Sequence, residues 1–173
     1  MEGDALNERF VRCALGNTDA RIAEGKPVTP AFLFAALLWP AVADLYAMHL
    51  SNGMPPYQAI QLAGQAVLEQ QQSRTAIPRR FSLPMREIWE LHNKLIQTRR
   101  PGVERLLDKP RFRAAYDFVL LRQQAGEDLN DAADWWTRFQ TDDIDERQRM
   151  IDEVKQQAPR KRKKKNTRSR NNH

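Results

Sequence analysis

Apolar residues recur at helical spacing along most of the 173-residue chain. The clearest segment, residues 60–68, has them at positions i, i+3, i+4, i+7 and i+8, which is the repeat of an amphipathic helix. The same spacing marks residues 85–96, 112–121 and 129–139, and more weakly residues 150–154. No segment shows the alternation typical of a strand. The sequence therefore predicts an all-α fold, a compact multi-helix body domain.

Glycine and proline suggest where the helices end. The first helix is predicted over residues 5–15, ending at Gly16, and a later one begins with Pro30 at its first position. The apolar run 31–50 contains Pro40 and Asp44. We expect a fully buried pair of helical segments broken or kinked at Pro40, and no membrane span. Residues 77–84, with prolines near both ends, are predicted to be a connector.

The charge is unevenly distributed. Residues 74–122 carry 12 basic and 5 acidic residues, and residues 159–173 carry eight Lys and Arg and no acid. Both remaining segments are net acidic. Two positive regions favour a phosphate-bearing partner. Because residues 159–173 contain no apolar side chain, we predict a body over residues 1–158 and a disordered basic C-terminal tail over 159–173.

Residue types that support catalysis or metal binding are sparse. The three histidines are scattered, the single Cys13 excludes an internal disulfide, and no glycine-rich phosphate loop is found. His92 lies on an apolar helix face and is predicted to be a satisfied core residue. The acidic run 142–146 follows Thr141 and is predicted to be a solvated helix N-terminus, where negative charge is stabilising. We therefore assign no catalytic residue and no metal site.

Basic residues in the positive regions are the candidate residues for binding nucleic acid. Most aromatic residues have the spacing of core residues, but Trp135 is out of phase with Trp136 and could stack on a base. The alternative for the basic residues is a solvated face with local pairs such as Arg113 with Asp117. The candidates in the body are Arg79, Arg80, Arg86, Arg99, Arg100, Arg111 and Arg113, with Arg105 and Lys109 nearby. The candidates in the tail are Arg160, Lys161, Arg162, Lys163, Lys164 and Lys165.

Several multi-residue blocks resemble the body domain of bacterial poly(A) polymerases. They are found in order along nearly the whole chain. The blocks are NTDARI at 17–22, GKPVTPAFLFAA at 25–36, AIPRR at 76–80, KPRFRAAYDF at 109–118 and WW at 135–136. The chain also has an Arg- and Lys-rich end, as that family does.

The resemblance implies a template-independent nucleotidyltransferase of class II, related to the tRNA CCA-adding enzymes. Such a polynucleotide adenylyltransferase transfers AMP from ATP to RNA 3′ ends in the cytoplasm, and the added tails promote RNA decay. The family's catalytic head carries a Gly-Ser motif and an Asp-x-Asp pair that binds Mg²⁺. This sequence contains no Gly-Ser dipeptide. Asp143 and Asp145 have the bare spacing in a helical context, so the catalytic role is not transferred to them.

The expectation is therefore an RNA-binding C-terminal part, inactive alone, with ATP and Mg²⁺ belonging to a missing head. The chain would be a truncated product, a misplaced start or a domain fragment. RNA 3′ ends are the expected partner, with RNA-decay proteins as partners of the tail. Two alternatives stay open at this point: the body of a CCA-adding enzyme, and a protein-interaction module with a basic tail.

Overall fold

The computed structural model describes residues 2–75, 77–97 and 100–159. Within these ranges the chain forms seven α-helices and one 3-10 helix and no strand, which confirms the all-α prediction. The prediction for Arg99 and all those for residues 160–173 lie outside the described residues. The division into a body and a tail stays a prediction. The elements are α1 (Glu2–Ala23), α2 (Pro30–Ser51), α3 (Pro56–Gln72), α4 (Arg79–Ile96), the 3-10 helix (Val103–Asp108), α5 (Phe112–Gln124), α6 (Ala132–Phe139) and α7 (Ile144–Gln157).

The first helix is longer than predicted, because α1 continues through Gly16 to Ala23. A glycine inside a helix costs only about 1 kcal/mol relative to alanine. Contacts with α5 offset that cost. The Asn17 amide donates to Gln124 Oε1 at 2.9 Å, and the Gln124 amide donates back at 3.3 Å. The predicted end at Gly16 is therefore wrong.

The helix α2 also continues where a break was predicted, at Pro40. Proline removes one backbone hydrogen bond, but Trp39 and Val42 on either side are buried and hold the helix in place. The indole of Trp89 on α4 donates to the Ala35 carbonyl at 3.0 Å. The prediction of full burial is also wrong, since Met48 is 48% exposed. By length and composition alone α2 could cross a membrane, a test that the core helix of a soluble protein also passes.

Two apolar cores share α4 and α5. The first lies between α1, α2, α3, the first half of α4 and the second half of α5, and includes Trp39 and Trp89. The second lies between the end of α4, the 3-10 helix, α5, α6 and α7, and includes Trp136. Trp136 donates its indole N–H to the Leu95 carbonyl at 2.9 Å. Two buried tryptophan hydrogen bonds thus hold α4, one to α2 and one to α6. They fix the orientation of its outward side.

His92 lies on α4 beside the aromatic rings of the first core and is fully buried, as predicted. Burial lowers its pKa well below the ordinary value of 6.5, and the nearby Arg122 guanidinium lowers it further. A neutral ring fits its contacts, since Nδ1 can donate to the Ile88 carbonyl at 3.1 Å while Nε2 accepts from Arg122 at 3.3 Å. Arg122 also pairs with Glu127 at 2.5 Å and lies over the Trp39 ring.

Candidate nucleic-acid interface

Arg79 and Arg80 lie in the first turn of α4, so the predicted connector over residues 77–84 is wrong. The helix begins directly after Pro78 and includes Pro84 within its second turn, early enough that one lost hydrogen bond is tolerated. Phe81 fixes this turn by packing on Phe34 of α2, with ring centroids 5.8 Å apart. Both arginines are exposed, and the Arg80 guanidinium lies 4.8 Å from the Phe81 ring centroid.

Three charged residues on α4 share one side of the helix at seven-residue spacing: Arg80, Glu87 and Lys94. Seven residues are close to two turns, or about 10 Å, so Arg80 and Lys94 are roughly 21 Å apart along the axis. Glu87, between them, accepts a hydrogen bond from Arg111 Nε at 2.8 Å. The pairing brings the start of α5 against the middle of α4. We call Arg80, Arg111 and Lys94 the α4 cation row.

Arg113 follows on α5 and pairs with Asp117 at 3.3 Å, the local pair that the sequence suggested as an alternative. Its side chain is 75% exposed, so the pair is weak and the guanidinium remains accessible. Partial burial raises the pKa of Asp117, while the charges of Arg113 and Arg21 lower it. Arg21 is thus an exposed cation of α1 whose charge acts on Asp117, and it was not among the candidates predicted from the sequence.

The other candidates in the body differ in accessibility. Arg86 is half-buried, and its Nε makes no hydrogen bond within the described part of the chain. Burial raises the pKa of Glu90, one turn later, and the Arg86 charge acts in the opposite direction. Arg86 is therefore a poorer phosphate ligand than its neighbours. Arg100, Arg105 and Lys109 are exposed and follow α4.

A cavity of about 370 Å³ lies at the C-terminal end of the α4 cation row. It is shaped by α3, the last turns of α4 and the 3-10 helix. Gly102 starts that helix with φ of 89°, a conformation that glycine adopts without strain. The sequence did not predict this cavity, although Arg100 was a candidate. Its lining residues are Tyr57, Ile60, Glu90, Asn93, Lys94, Gln97, Arg100, Pro101, Gly102, Val103 and Leu106.

Trp135 is not available for stacking on RNA, so that suggestion is wrong. It is 9% exposed, stacks on Phe139 at 4.9 Å between ring centroids and contacts Trp136 edge-on. Because α6 has only eight residues and is packed on more than one side, both neighbouring tryptophans are buried. Sequence periodicity assumes a single buried face and therefore misjudged one of them.

The acidic run 142–146 starts a helix, as predicted. The Asp143 carboxylate caps α7 by accepting hydrogen bonds from the backbone N–H groups of Asp145 and Glu146, at 3.0 and 3.1 Å. Among the described residues, no group of three or more His, Cys, Asp or Glu could hold a metal ion. The Asp143 carboxylate is thus engaged in capping α7.

Comparisons with known proteins agree with the resemblance. Residues 52–171 match the family described as Polymerase A arginine-rich C-terminus. The chain is 35% identical to Poly(A) polymerase I of Salmonella typhi in an alignment 164 residues long, which covers 92% of this chain and 35% of that protein. It is 34% identical to the Escherichia coli O157:H7 protein of the same name, with the same coverage. The Haemophilus influenzae protein is 32% identical over 163 residues. The chain thus spans about a third of the length of the curated relatives it matches.

Proposed function

The chain belongs to the bacterial poly(A) polymerase family, matching its arginine-rich C-terminal region, and from that premise we propose that it binds RNA through the outward side of α4 and the start of α5. One observation carries the proposal. Along this surface cations outnumber carboxylates, and Glu87, in the middle of the α4 cation row, is already neutralised by Arg111. Exposed cations on a rigid helical surface attract the phosphate backbone of RNA.

The same proposal covers the role of the RNA within a longer polymerase. The bound strand would be held with its 3′ end toward the part of the enzyme that transfers AMP from ATP. ATP and Mg²⁺ would be bound by that part, not by this chain. We place the protein in the cytoplasm, with RNA as its partner and with RNA-decay proteins as further partners of the basic segment 159–173.

The experiment compares two variants that lose equal charge. Arg79, Arg80, Arg111 and Arg113 are changed together to Ala in a chain that ends at Ala158, where the basic segment cannot contribute. The slope of log affinity against log salt for a single-stranded 20-mer should fall by up to about 3, since each neutralised phosphate contributes about 0.7. Fluorescence anisotropy at several salt concentrations measures both the affinity and the slope.

The matched control removes four exposed cations from other helices: Arg12, Arg138, Arg149 and Lys155. Their loss should change the affinity for RNA by less than about threefold, because they lie on α1, α6 and α7 rather than on α4 or α5, and only long-range attraction is lost. Equal losses in both variants, with helicity retained, would show general attraction by net charge. No loss in either would place the RNA surface elsewhere.

Deletion of residues 159–173 tests how much the basic segment contributes to RNA binding. Its eight cations could add roughly 5 to 6 units of slope if every one met a phosphate. The deletion should weaken binding of all RNA sequences alike, because phosphate contacts carry no base information. An unchanged slope would mean that the segment serves a protein partner. A loss confined to particular sequences would mean that it reads bases.

The absence of a catalytic role is tested with ATP, Mg²⁺ and oligo(A). We expect the chain alone to leave the oligomer at its original length on a sequencing gel. Magnesium-dependent lengthening by the purified chain would contradict this expectation. The control is the same incubation without Mg²⁺.

A further inference from the structure

The cavity at the end of α4 has the size and wall chemistry of a site for one nucleotide. Small-molecule sites begin at about 300 Å³ and combine apolar walls with a few placed polar groups, and this cavity has about 370 Å³. Ile60 and Val103 form buried apolar walls. Tyr57 supplies an aromatic wall that is 54% exposed. The Gln61 amide donates to the Tyr57 hydroxyl at 2.9 Å, which restrains the ring.

Positive charge stands beside this aromatic wall. The Lys94 ammonium lies 5.1 Å from the centroid of the Tyr57 ring, and Arg100 lines the same cavity. Lys94 makes no ion pair with Glu90 within the described residues, although the two are one turn apart. Base stacking on an aromatic ring is stronger than an exposed cation–π contact. An entering base can therefore displace the ammonium, which stays close enough to meet a phosphate.

The polar groups inside the cavity favour particular bases. The side-chain amides of Asn93 and Gln97 both donate to the Tyr46 hydroxyl, at 3.4 and 3.2 Å. Donation to Tyr46 uses one of the two N–H groups of each amide, orients it and leaves its oxygen as an acceptor. Glu90, half-buried at the same wall, adds a carboxylate. Three acceptors complement a ligand that presents N–H groups, as adenine, cytosine and guanine do with their exocyclic amino groups. Uracil has no exocyclic amino group.

We propose that this cavity binds one nucleotide of a bound RNA strand, with an amino-bearing base against Tyr57 and a phosphate at Lys94 and Arg100. The proposal rests on the proposed RNA binding and adds base preference to it. The α4 cation row supplies the continuity, because it runs from Arg80 past Arg111 and ends at Lys94 on the rim of the cavity. A strand that follows the row therefore reaches the cavity.

The test measures binding of the full chain to fluorescein-labelled 12-mers of A, C and U. The unchanged protein should bind the A and C oligomers several-fold more tightly than the U oligomer. Tyr57→Leu should lower the affinity for oligo(A) by about tenfold, the effect of one lost base–aromatic stack. Tyr57→Phe keeps the ring and should retain the preference. Glu90→Gln replaces an acceptor with a group that also donates, and should narrow the difference between A and U.

Lys94→Met should weaken binding of all three oligomers, since its role is phosphate contact. Lys155→Met on α7 is the matched control, because Lys155 is exposed and does not line the cavity. Equal affinity of the unchanged protein for A, C and U, or a preference that survives both Tyr57→Leu and Glu90→Gln, would overturn the nucleotide site while leaving RNA binding intact. Failure to bind any of the three oligomers would overturn the proposed function as well. Thermal melts of each variant verify that it is folded.

Discussion

The two sides of α4 have different roles: the inward side stabilises the fold, and the outward side is available to bind a ligand. Its inward side carries Met85, Ile88, Trp89, His92 and Leu95, each at most 2% exposed. The Trp89 indole N–H and both ring nitrogens of His92 have hydrogen-bond partners there, at 3.0 to 3.3 Å. Its outward side carries exposed charges with weaker contacts: Arg111 pairs with Glu87, and the Tyr57 ring lies beside Lys94. A buried polar group that loses its partner costs stability, whereas an exposed charge contributes little to stability and is free to bind a ligand.

A comparison with α7 shows that charge alone does not mark the candidate surface. α7 is also rich in charged residues, but Glu146 accepts a hydrogen bond from Arg138 at 2.8 Å and forms an ion pair with Arg149 at 2.5 Å. Residues 123–158 contain 10 acidic and 4 basic residues. The surface around α7 should therefore repel RNA, while the outward side of α4 should attract it. The two surfaces differ in their excess of cations over carboxylates, not in their total number of charged residues.

The largest expected effect is on the inward side. Trp89→Ala should destabilise the protein by about 3–5 kcal/mol, because it removes a buried indole and leaves a cavity beside Gly64 and Ala35. Urea unfolding measures the free energy change. Trp89→Phe, which retains a ring but not the hydrogen bond, should cost less. A decrease in the free energy of unfolding of less than about 1 kcal/mol for the Ala variant would contradict the role of buried Trp89 in holding α4.

An intermediate effect concerns His92 and pH. Its pKa is lowered by burial in the folded state, so below the ordinary value of 6.5 the unfolded chain binds a proton that the folded chain does not. Stability should therefore fall as pH decreases below about 6.5, by up to about 1.4 kcal/mol per pH unit, until the lowered folded-state pKa is reached.

The measurement for His92 is urea unfolding at pH 7.5, 6.5 and 5.5. His92→Gln should be less stable at pH 7.5 and should lose the part of the pH dependence that arises between these values. His49→Gln is the control and should keep that dependence. An identical pH dependence with and without His92 would contradict its burial as a neutral ring.

The smallest expected effect is on RNA affinity and concerns the Glu87–Arg111 ion pair on the outward side of α4. Glu87→Gln removes the carboxylate that neutralises Arg111, and should raise RNA affinity about two- to fivefold, the range of a surface ion pair. Glu146→Gln on α7 is matched in chemistry and should leave affinity within about twofold, since its arginines lie away from the proposed surface. Equal gains in RNA affinity for both variants would show that the effect comes from net charge and not from the position of Glu87.

The sequence predicted the helical class and the buried faces of α3, α4 and α5, because helical periodicity directly reflects burial. It misread Gly16, Pro40 and Pro84 as ends or boundaries. In each case contacts distant in sequence hold the helix together: Asn17 with Gln124, Trp89 with Ala35, and Phe81 with Phe34. Local propensity carries no information about such contacts.

The candidate interface was predictable in part. Composition identified Arg79, Arg80, Arg111 and Arg113, but not that Arg111 pairs with Glu87, 24 residues away. The cavity could not be found from sequence, because Tyr57, Lys94 and Val103 come from three separate elements. The RNA-binding role of every one of these residues stays a prediction.

The central claim is that RNA binds the outward side of α4 and the start of α5. The most direct measurement is mapping of backbone amide shifts by NMR on the full chain, titrated with a single-stranded RNA. Within residues 1–158, the account predicts shift changes concentrated at residues 79–87, 94–97 and 111–113, with α6 and α7 unaffected. Changes confined to residues 160–173, or centred on α7, would contradict it.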